Sequence, residues 1–356
     1  MNEWYYIAVP ISPDNFAGTK ARLDIEALCE RRGMRRFEFE GNNTSNRCLL
    51  QRIRLVWFGL KNWIVLKKTV DPSSLILFQY PHYPMKSAVL ARLMMRWIQR
   101  SKRVRFAALV HDLNSAREVF GKAARYSDSR FLPQFDYIVC HNDCMRRYLV
   151  EQGFDPGKLI PLGVFDYLAE SGMSDAVDAS LLSVNIAGNL SHERSAYLYE
   201  LASVPTRLRL YLYGAGLDTD LTSDSVLYEG LIPAETLPQA LRGAFGLVWD
   251  GESIDTCSGV YGSYLAINNP HKLSLYLSAG IPVIVWSGSA LVEFVERGGL
   301  GLAVPSLQNL FDLLDAVGEE QYAVLRQNAR REGEKIRAGY YFHQAMDRLE
   351  DMCFKC

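Results

Sequence analysis

An amide, an imidazole, an amine and a hydroxyl follow one another closely at Asn269, His271, Lys272 and Ser274, around Pro270. Asn268-Asn269-Pro270 punctuates a loop, and Pro270 suits a position at or just before a first helical turn. The residues that follow place apolar side chains at Leu273, Tyr276, Leu277 and Ala279, a helical spacing. Gly280 supplies a C-terminal cap, and residues 282–286 read as a buried parallel strand. A helix start offers N–H groups and the positive end of a dipole. With Lys272 beside them they form an anion site, and a diphosphate is the guest that fits. The same residues also fit an ordinary helix–strand connection with a solvated Lys-His pair.

Other polar groups stand where strands end. Gly188-Asn189-Leu190 reads as a tight turn before a helix. Gly214-Ala215-Gly216 follows Tyr213, and Asp250-Gly251-Glu252 follows a strand at 245–249. Glycine at such turns lets the backbone approach a ligand closely. Gly18-Thr19-Lys20, at the first strand-to-helix turn, directs N–H groups and an amine toward the crevice above the sheet. His111-Asp112 and His141-Asn142 each sit just past the carboxyl end of a strand. Asp218-Thr219-Asp220 lies among Ser and Thr after a glycine-rich loop and reads as a turn rather than a metal motif.

These groups need a scaffold. Strands at 4–10, 75–79, 106–110 and 137–140 alternate with helices at 19–29, 47–68 and 86–99, and a further helix runs to Gly153. Such alternation implies a parallel sheet with right-handed crossovers. The pattern loosens over 162–179, a linker. It resumes with strands at 182–187, 208–213, 226–228, 245–249 and 282–286 and a short helix at 235–241, and the tail from Gln321 is helical and charged. The expected organisation is an N-terminal Rossmann-like domain (1–165), a linker (166–179), a second Rossmann-like domain (180–335) and a C-terminal helix (336–356) that packs back toward the first domain.

The chain has 356 residues, nearly half of them apolar, and a formal net charge of −1. That balance conceals an asymmetry. Between residues 41 and 110 the only acidic residue is Asp71, against thirteen lysines and arginines. Such a stretch points to an anionic surface, membrane or nucleic acid. Aromatic and aliphatic residues interleave with the charges, as in Val56-Trp57-Phe58 and Leu93-Met94-Met95-Arg96-Trp97, which favours a membrane interface over nucleic acid. Core-facing helices with a solvated face would carry the same pattern. Lys61 interrupts the best apolar run before it could span a bilayer. The start of the chain runs straight into a strand, with no signal peptide expected. Seven scattered cysteines suit a reducing cytoplasm. No Gly-x-Gly-x-x-Gly follows the first strand, which argues against a dinucleotide enzyme.

Three segments carry a resemblance: 245–251, 257–265 (Cys-Ser-Gly-Val-Tyr-Gly-Ser-Tyr-Leu) and 268–286. With Asn15-Phe16-Ala17-Gly18-Thr19-Lys20-Ala21, Asp24, His111-Asp112-Leu113, His141-Asn142 and Gly188-Asn189-Leu190, the chain resembles the bacterial β-1,6-galactofuranosyltransferase-like enzymes. The same pattern covers the glucosyltransferase that extends glycans on streptococcal serine-rich adhesins. The resemblance implies the GT-B fold: an α/β protein of two Rossmann-like domains facing a central cleft, donor on the second and acceptor on the first.

It implies transfer of a hexose, galactofuranose or glucose, from a UDP-sugar to a glycan, lipid-linked in surface polysaccharide synthesis or carried on a protein. Lys272 with Pro270 and His271 would hold the UDP diphosphate, Ser274 adding a hydroxyl and Asn269 bonding ribose or phosphate. Gly188 and Asn189 would contact phosphate or sugar, Tyr213-Gly214 would lie near the uracil, and Asp250-Gly251 near the donor sugar or ribose. Asn15, Gly18 and Thr19 belong to the acceptor side. The family's β-linked products imply inversion, so a base in the first domain must reach the acceptor hydroxyl. Asp112 is the first choice, with His111 or Asp14 behind it, although a carboxylate there also commonly caps the next helix. Lys20 would steady the acceptor or the departing phosphate. The helix terminus and Lys272 can do a metal's electrostatic work, so no metal and no cofactor is expected. The resemblance also fits a cytoplasmic protein, peripheral on the inner face of the membrane, with homo-oligomerisation left open. A catalytically silent partner of another transferase should have lost these phosphate-gripping residues, and they are present.

Overall fold

The computed structural model describes residues 3–9, 16–39, 49–81, 88–117, 128–169, 180–204, 207–218, 221 and 223–354. The first half runs β1 (Trp4–Ala8), α1 (Phe16–Arg31), β2 (Arg35–Glu38), α2 (Leu49–Thr69), β3 (Leu75–Tyr80), α3 (Ala88–Lys102) and β4 (Arg105–Val110). Two short helices follow, α4 (Asn114–Arg117) and α5 (Asp128–Phe131), then β5 (Tyr137–Cys140), α6 (Asp143–Glu151) and β6 (Leu159–Pro161). The second half comprises β7 (Ser183–Asn189), α7 (His192–Ser203), β8 (Arg209–Ala215), β9 (Val226–Gly230), α8 (Leu237–Ala240), β10 (Phe245–Val248), α9 (Gly259–Tyr264), α10 (His271–Ser278) and β11 (Val283–Trp286). It closes with α11 (Val292–Gly298), β12 (Gly301–Val304), α12 (Leu310–Asp315), α13 (Glu319–Ala338) and α14 (Tyr340–Phe354).

Among the described residues the strands form two six-stranded parallel sheets, ordered β2-β1-β3-β4-β5-β6 and β12-β11-β10-β7-β8-β9. Central strands such as β3, Leu-Ile-Leu-Phe-Gln-Tyr, are buried along their whole length, as helices on both faces demand. On one face of the first sheet Trp63, Leu66, Met95 and Ile98 of α2 and α3 close over Phe78 and Phe106. On the other, Ile25 and Leu28 of α1 meet Phe342, Met346 and Leu349 of α14. The C-terminal helix thus packs back on the first domain, and the Tyr137 hydroxyl donates to the Met352 carbonyl at 2.9 Å.

Several boundaries differ from the sequence reading. Helix α1 is already formed at Phe16, so Gly18, Thr19 and Lys20 lie inside its opening turns rather than in a loop before it. Strand β2 escaped notice because Phe37 alone of its four residues is buried; charged edge strands of this kind resist edge-to-edge pairing. Asn15 and Asp14 lie outside the described residues, as do 170–179 of the expected linker and Thr219-Asp220.

Candidate functional site

In each sheet the chain reverses its winding once: between β1 and β3 in the first, between β7 and β10 in the second. Ligands of open parallel sheets lie at the carboxyl ends of strands where this reversal opens a crevice. At the second crevice, β7 ends in Gly188-Asn189, β8 in Gly214-Ala215, and β10 leads into Trp249-Asp250-Gly251. Gly188 and Gly214 pair across the two strands. Their φ angles are +132° and +145°, and a Cβ on Gly214 would fall 1.8 Å from the Gly188 carbonyl oxygen. No side chain fits there, so bare backbone lines the crevice.

Helix α10 points its start at the same place. Pro270 is its N-cap, with no side chain capping the first turn; Ala279 and Gly280, at φ +69°, end it. Lys272 crosses the reversal point: its Nζ donates to the Trp249 carbonyl at 2.9 Å and to Asp250 Oδ1 at 2.8 Å. Its Cε lies 3.5 Å from where a Gly188 Cβ would stand. Two of the three ammonium donors are thereby used and the third remains for an anion. The structure brings Lys272, Gly188, Gly214, Asp250 and Gly251 together. Asn189 is exposed and its Oδ1 accepts the Ser191 N–H at 2.9 Å, shaping the turn into α7.

His271 is drawn inward. Its ring packs on Tyr167 (centroids 4.9 Å apart) and edge-on to Phe165 (6.0 Å). Burial pushes its pKa down to about 4, so the ring is neutral at physiological pH, and its buried Nε2 has no hydrogen-bond partner. A buried orphan of this kind is a group that a ligand can satisfy.

Three expected ligand contacts are used otherwise. Asn269 is buried against the first domain: its backbone N–H donates to His141 Nδ1 at 2.9 Å, and its side-chain amide donates to the carbonyls of His141 (2.9 Å) and Gly163 (2.5 Å). Its Oδ1 accepts from Asn142 Nδ2 at 2.6 Å. Ser274 Oγ donates to the Phe165 carbonyl at 2.5 Å. Both residues join the domains, contrary to the expected contacts with ribose or phosphate, because the loop before α10 and the Ser274 face of that helix are turned onto the crossover after β6. Tyr213 is likewise core: its buried hydroxyl donates to the Ala240 carbonyl (3.1 Å) and accepts the Arg242 N–H (3.0 Å), so only the adjoining Gly214 backbone reaches the crevice.

Lys20 departs furthest from expectation. Its ammonium is buried, donating to Asp24 Oδ1 at 2.5 Å and to the Leu168 carbonyl at 2.7 Å, 5.0 Å from the Tyr167 ring centroid. Asp24 in turn accepts the Leu168 N–H at 3.1 Å. Burial raises the Asp24 pKa to about 6 against the opposing pull of Lys20. This buried ion pair clamps the crossover to α1. Gly18 and Thr19 occupy the turn before it.

His111 and Asp112 follow β4. The His111 ring stacks on Phe165 at 5.5 Å and its Nε2 lies 2.7 Å from Gln79 Oε1. The Gln79 amide nitrogen donates to the Arg22 carbonyl, so Oε1 faces the imidazole and Nε2 carries the proton. Burial holds the His111 pKa well below the usual range. Asp112 is half-buried at the seam: the next residue, Leu113, donates its N–H to the Tyr264 hydroxyl of the second domain at 2.8 Å. The first-turn N–H of α4, on Ser115, goes to Asp128 at 2.8 Å rather than to Asp112.

One cation at this end escaped the sequence reading. Arg194, in the first turn of α7, holds its guanidinium 4.1 Å from the Tyr261 ring centroid. A positive residue one turn into the helix after Gly188-Asn189 was the available signal.

The two halves match family models in order: "Glucosyltransferase 3-like, N-terminal domain" over residues 5–164 and "Glucosyltransferase 3-like, C-terminal domain" over residues 184–349. Among curated proteins, the chain is 33% identical over 260 residues to the β-1,6-galactofuranosyltransferase WbbI of Escherichia coli K12, covering 72% of this chain and 74% of that one. It is 27% identical over 208 residues to glucosyltransferase 3 of Streptococcus parasanguinis, 58% of each chain. Among solved structures, sucrose-phosphate synthase from Thermosynechococcus elongatus superposes with a TM-score of 0.61 at 15% identity over the full length of both chains. Anabaena HepE, in complex with UDP and glucose, gives 0.60 at 13% identity, covering 98% of this chain and 100% of that one. These likenesses and the pair of facing parallel sheets lead to one assignment: the chain belongs to the glucosyltransferase 3-like family and is a glycosyltransferase of the GT-B fold.

Proposed function

We propose that the protein transfers a hexose, galactofuranose or glucose, from a UDP-sugar to a glycan acceptor, lipid-linked in surface polysaccharide synthesis at the inner face of the cytoplasmic membrane. The observation that carries this reading is Lys272, held by the uncapped start of α10 across the reversal between β7 and β10, beside glycine backbone. A diphosphate at this point accepts the third ammonium proton and the N–H groups of the helix start. Arg194 offers a second cation. The names of relatives and the UDP complex of HepE support a nucleotide-sugar donor.

In the reaction, the carboxylate of Asp112 takes the proton of the acceptor hydroxyl. The oxygen attacks the anomeric carbon, the bond to the β-phosphate breaks, and UDP leaves with the electron pair. A single displacement inverts the anomeric centre. Charge that develops on the diphosphate meets Lys272 and the helix dipole, so turnover needs no divalent metal.

Slow hydrolysis of a panel of UDP-sugars, read as UDP release with and without EDTA, tests the reading. Release from UDP-galactofuranose or UDP-glucose that EDTA leaves unchanged is expected. Release from no UDP-sugar, or only with added metal, contradicts it.

A further inference from the structure

The outer face of α2 and α3 presents a surface that the donor site does not use. Val89, Leu93 and Trp97 recur every fourth residue on α3, on the side opposite the buried Ala91, Met95 and Ile98. They are exposed, Val89 at 59% and Leu93 at 57%. On α2, Trp57 is 62% exposed, with Val56 and Leu60 exposed beside it. The two helices run side by side: Gly59 lets α2 approach Leu90, where a Cβ would meet Leu90 Cδ2 at 3.3 Å, and Lys67 Nζ lies 3.7 Å from the Trp97 ring centroid. Arg92, Arg96 and Arg100 line the flank of the apolar stripe, and Lys61, Lys67 and Lys68 belong to α2. Neither helix contains an aspartate or glutamate.

The geometry points to this face as a docking surface for a bilayer rich in anionic phospholipid. Scattered apolar side chains on a surface are ordinary, but here they form one patch across two helices. Tryptophan and leucine at the centre suit the boundary between headgroups and acyl chains, while the arginines reach phosphates beside it. Uniform positive charge selects anionic lipid and disfavours a second copy of the same face, which would set like charges against one another. Nucleic acid would be met by the cations but gives no reason for exposed valine and leucine. Among the described residues no helix is long and apolar enough to cross a membrane; this surface lies on one. Both helices begin at the carboxyl edge of the first sheet, the edge that faces the cleft. A bilayer beneath them therefore abuts the cleft mouth, where a lipid-linked acceptor enters. Docking goes beyond the donor reading and stands independently of it.

Flotation of the full chain with vesicles of phosphatidylcholine alone, or of phosphatidylcholine mixed with phosphatidylglycerol, tests the proposal. The protein is expected to float with the mixed vesicles only. Binding should fall roughly hundredfold in the Arg92→Ala/Arg96→Ala/Arg100→Ala variant and at least about tenfold in the Trp57→Ser/Leu93→Ser/Trp97→Ser variant. UDP affinity, measured without vesicles, should be unchanged in both, which establishes that they fold. Failure to float, or flotation that neither set alters, overturns the proposal. So does binding to a DNA oligonucleotide that is tighter than to vesicles, or a concentration-dependent dimer lost in the tryptophan variant. Flotation without UDP binding would uphold docking and remove the donor reading.

Discussion

Lys272 is held before any ligand arrives. Its partners, the Trp249 carbonyl and Asp250, fix the ammonium over the crevice, so binding costs little side-chain entropy. Lys272→Ala should weaken UDP binding roughly tenfold to hundredfold, the worth of a charge-assisted contact, with the unfolding transition little changed; calorimetric titration with UDP measures it. Asp112→Asn should bind UDP like the parent yet turn over about a hundredfold or more slowly, the usual contribution of a general base; full activity would move the base elsewhere. The cluster of Lys272, Gly188, Gly214 and Asp250-Gly251 was legible because each part has its own signature: turn glycines after strands and a cation at a helix start. The roles of Asn269, Ser274 and Lys20 were not. Helical spacing identifies polar residues near a helix start, but not whether a crossover segment distant in sequence will cover them.

That crossover, residues 162–169, is the element around which the domains meet. Phe165 lies among the rings of His111, His141 and His271, and Gly163 and Phe165 offer carbonyls to Asn269 and Ser274. Its loosened hydrophobic pattern reads as a linker because its contacts are backbone bonds and ring packing rather than a periodic apolar face. Asn269→Ala deletes three side-chain bonds across this seam and takes a partner from the Gly163 carbonyl and the Asn142 amide, while the His141 carbonyl keeps the Gly163 N–H. It should cost about 2–4 kcal/mol in urea unfolding. The seam is also sensitive to acid. His141 accepts the Asn269 N–H on Nδ1 and donates from Nε2 to the Val110 carbonyl, so a second proton would oppose the Asn269 N–H. Burial sets its pKa near 4. Because the folded value lies below the unfolded one, the unfolded chain binds more protons between about pH 4 and 6.5. Stability from this group is complete above that window and falls as pH drops through it, by on the order of 3 kcal/mol. Asp24 and Asp166, raised to about 6 and 7 by burial, act in the opposite sense over the same range. The comparison that isolates His141 is therefore with His141→Gln, which should lose less stability than the parent between pH 7 and pH 4.5.

At the scale of the whole molecule, two parallel sheets place their reversal points toward one cleft, and a single helix start serves both purposes. Lys272 on α10 faces the second crevice, while Asn269 and Ser274, one turn or less away, tie the same helix to the first domain. The crevice and the seam between the domains therefore share one short helix. The two alternating halves and the returning C-terminal helix followed from periodicity, whereas β2 is charged and β6 and β12, three and four residues long, are too brief to show an alternation. The central claim is that the start of α10 grips the paired phosphates of a nucleotide sugar. A crystal soaked in UDP tests it most directly. The diphosphate is expected within hydrogen-bonding distance of Lys272 Nζ and against the backbone of Gly188; a nucleotide bound away from Lys272 and the first turn of α10 would contradict it.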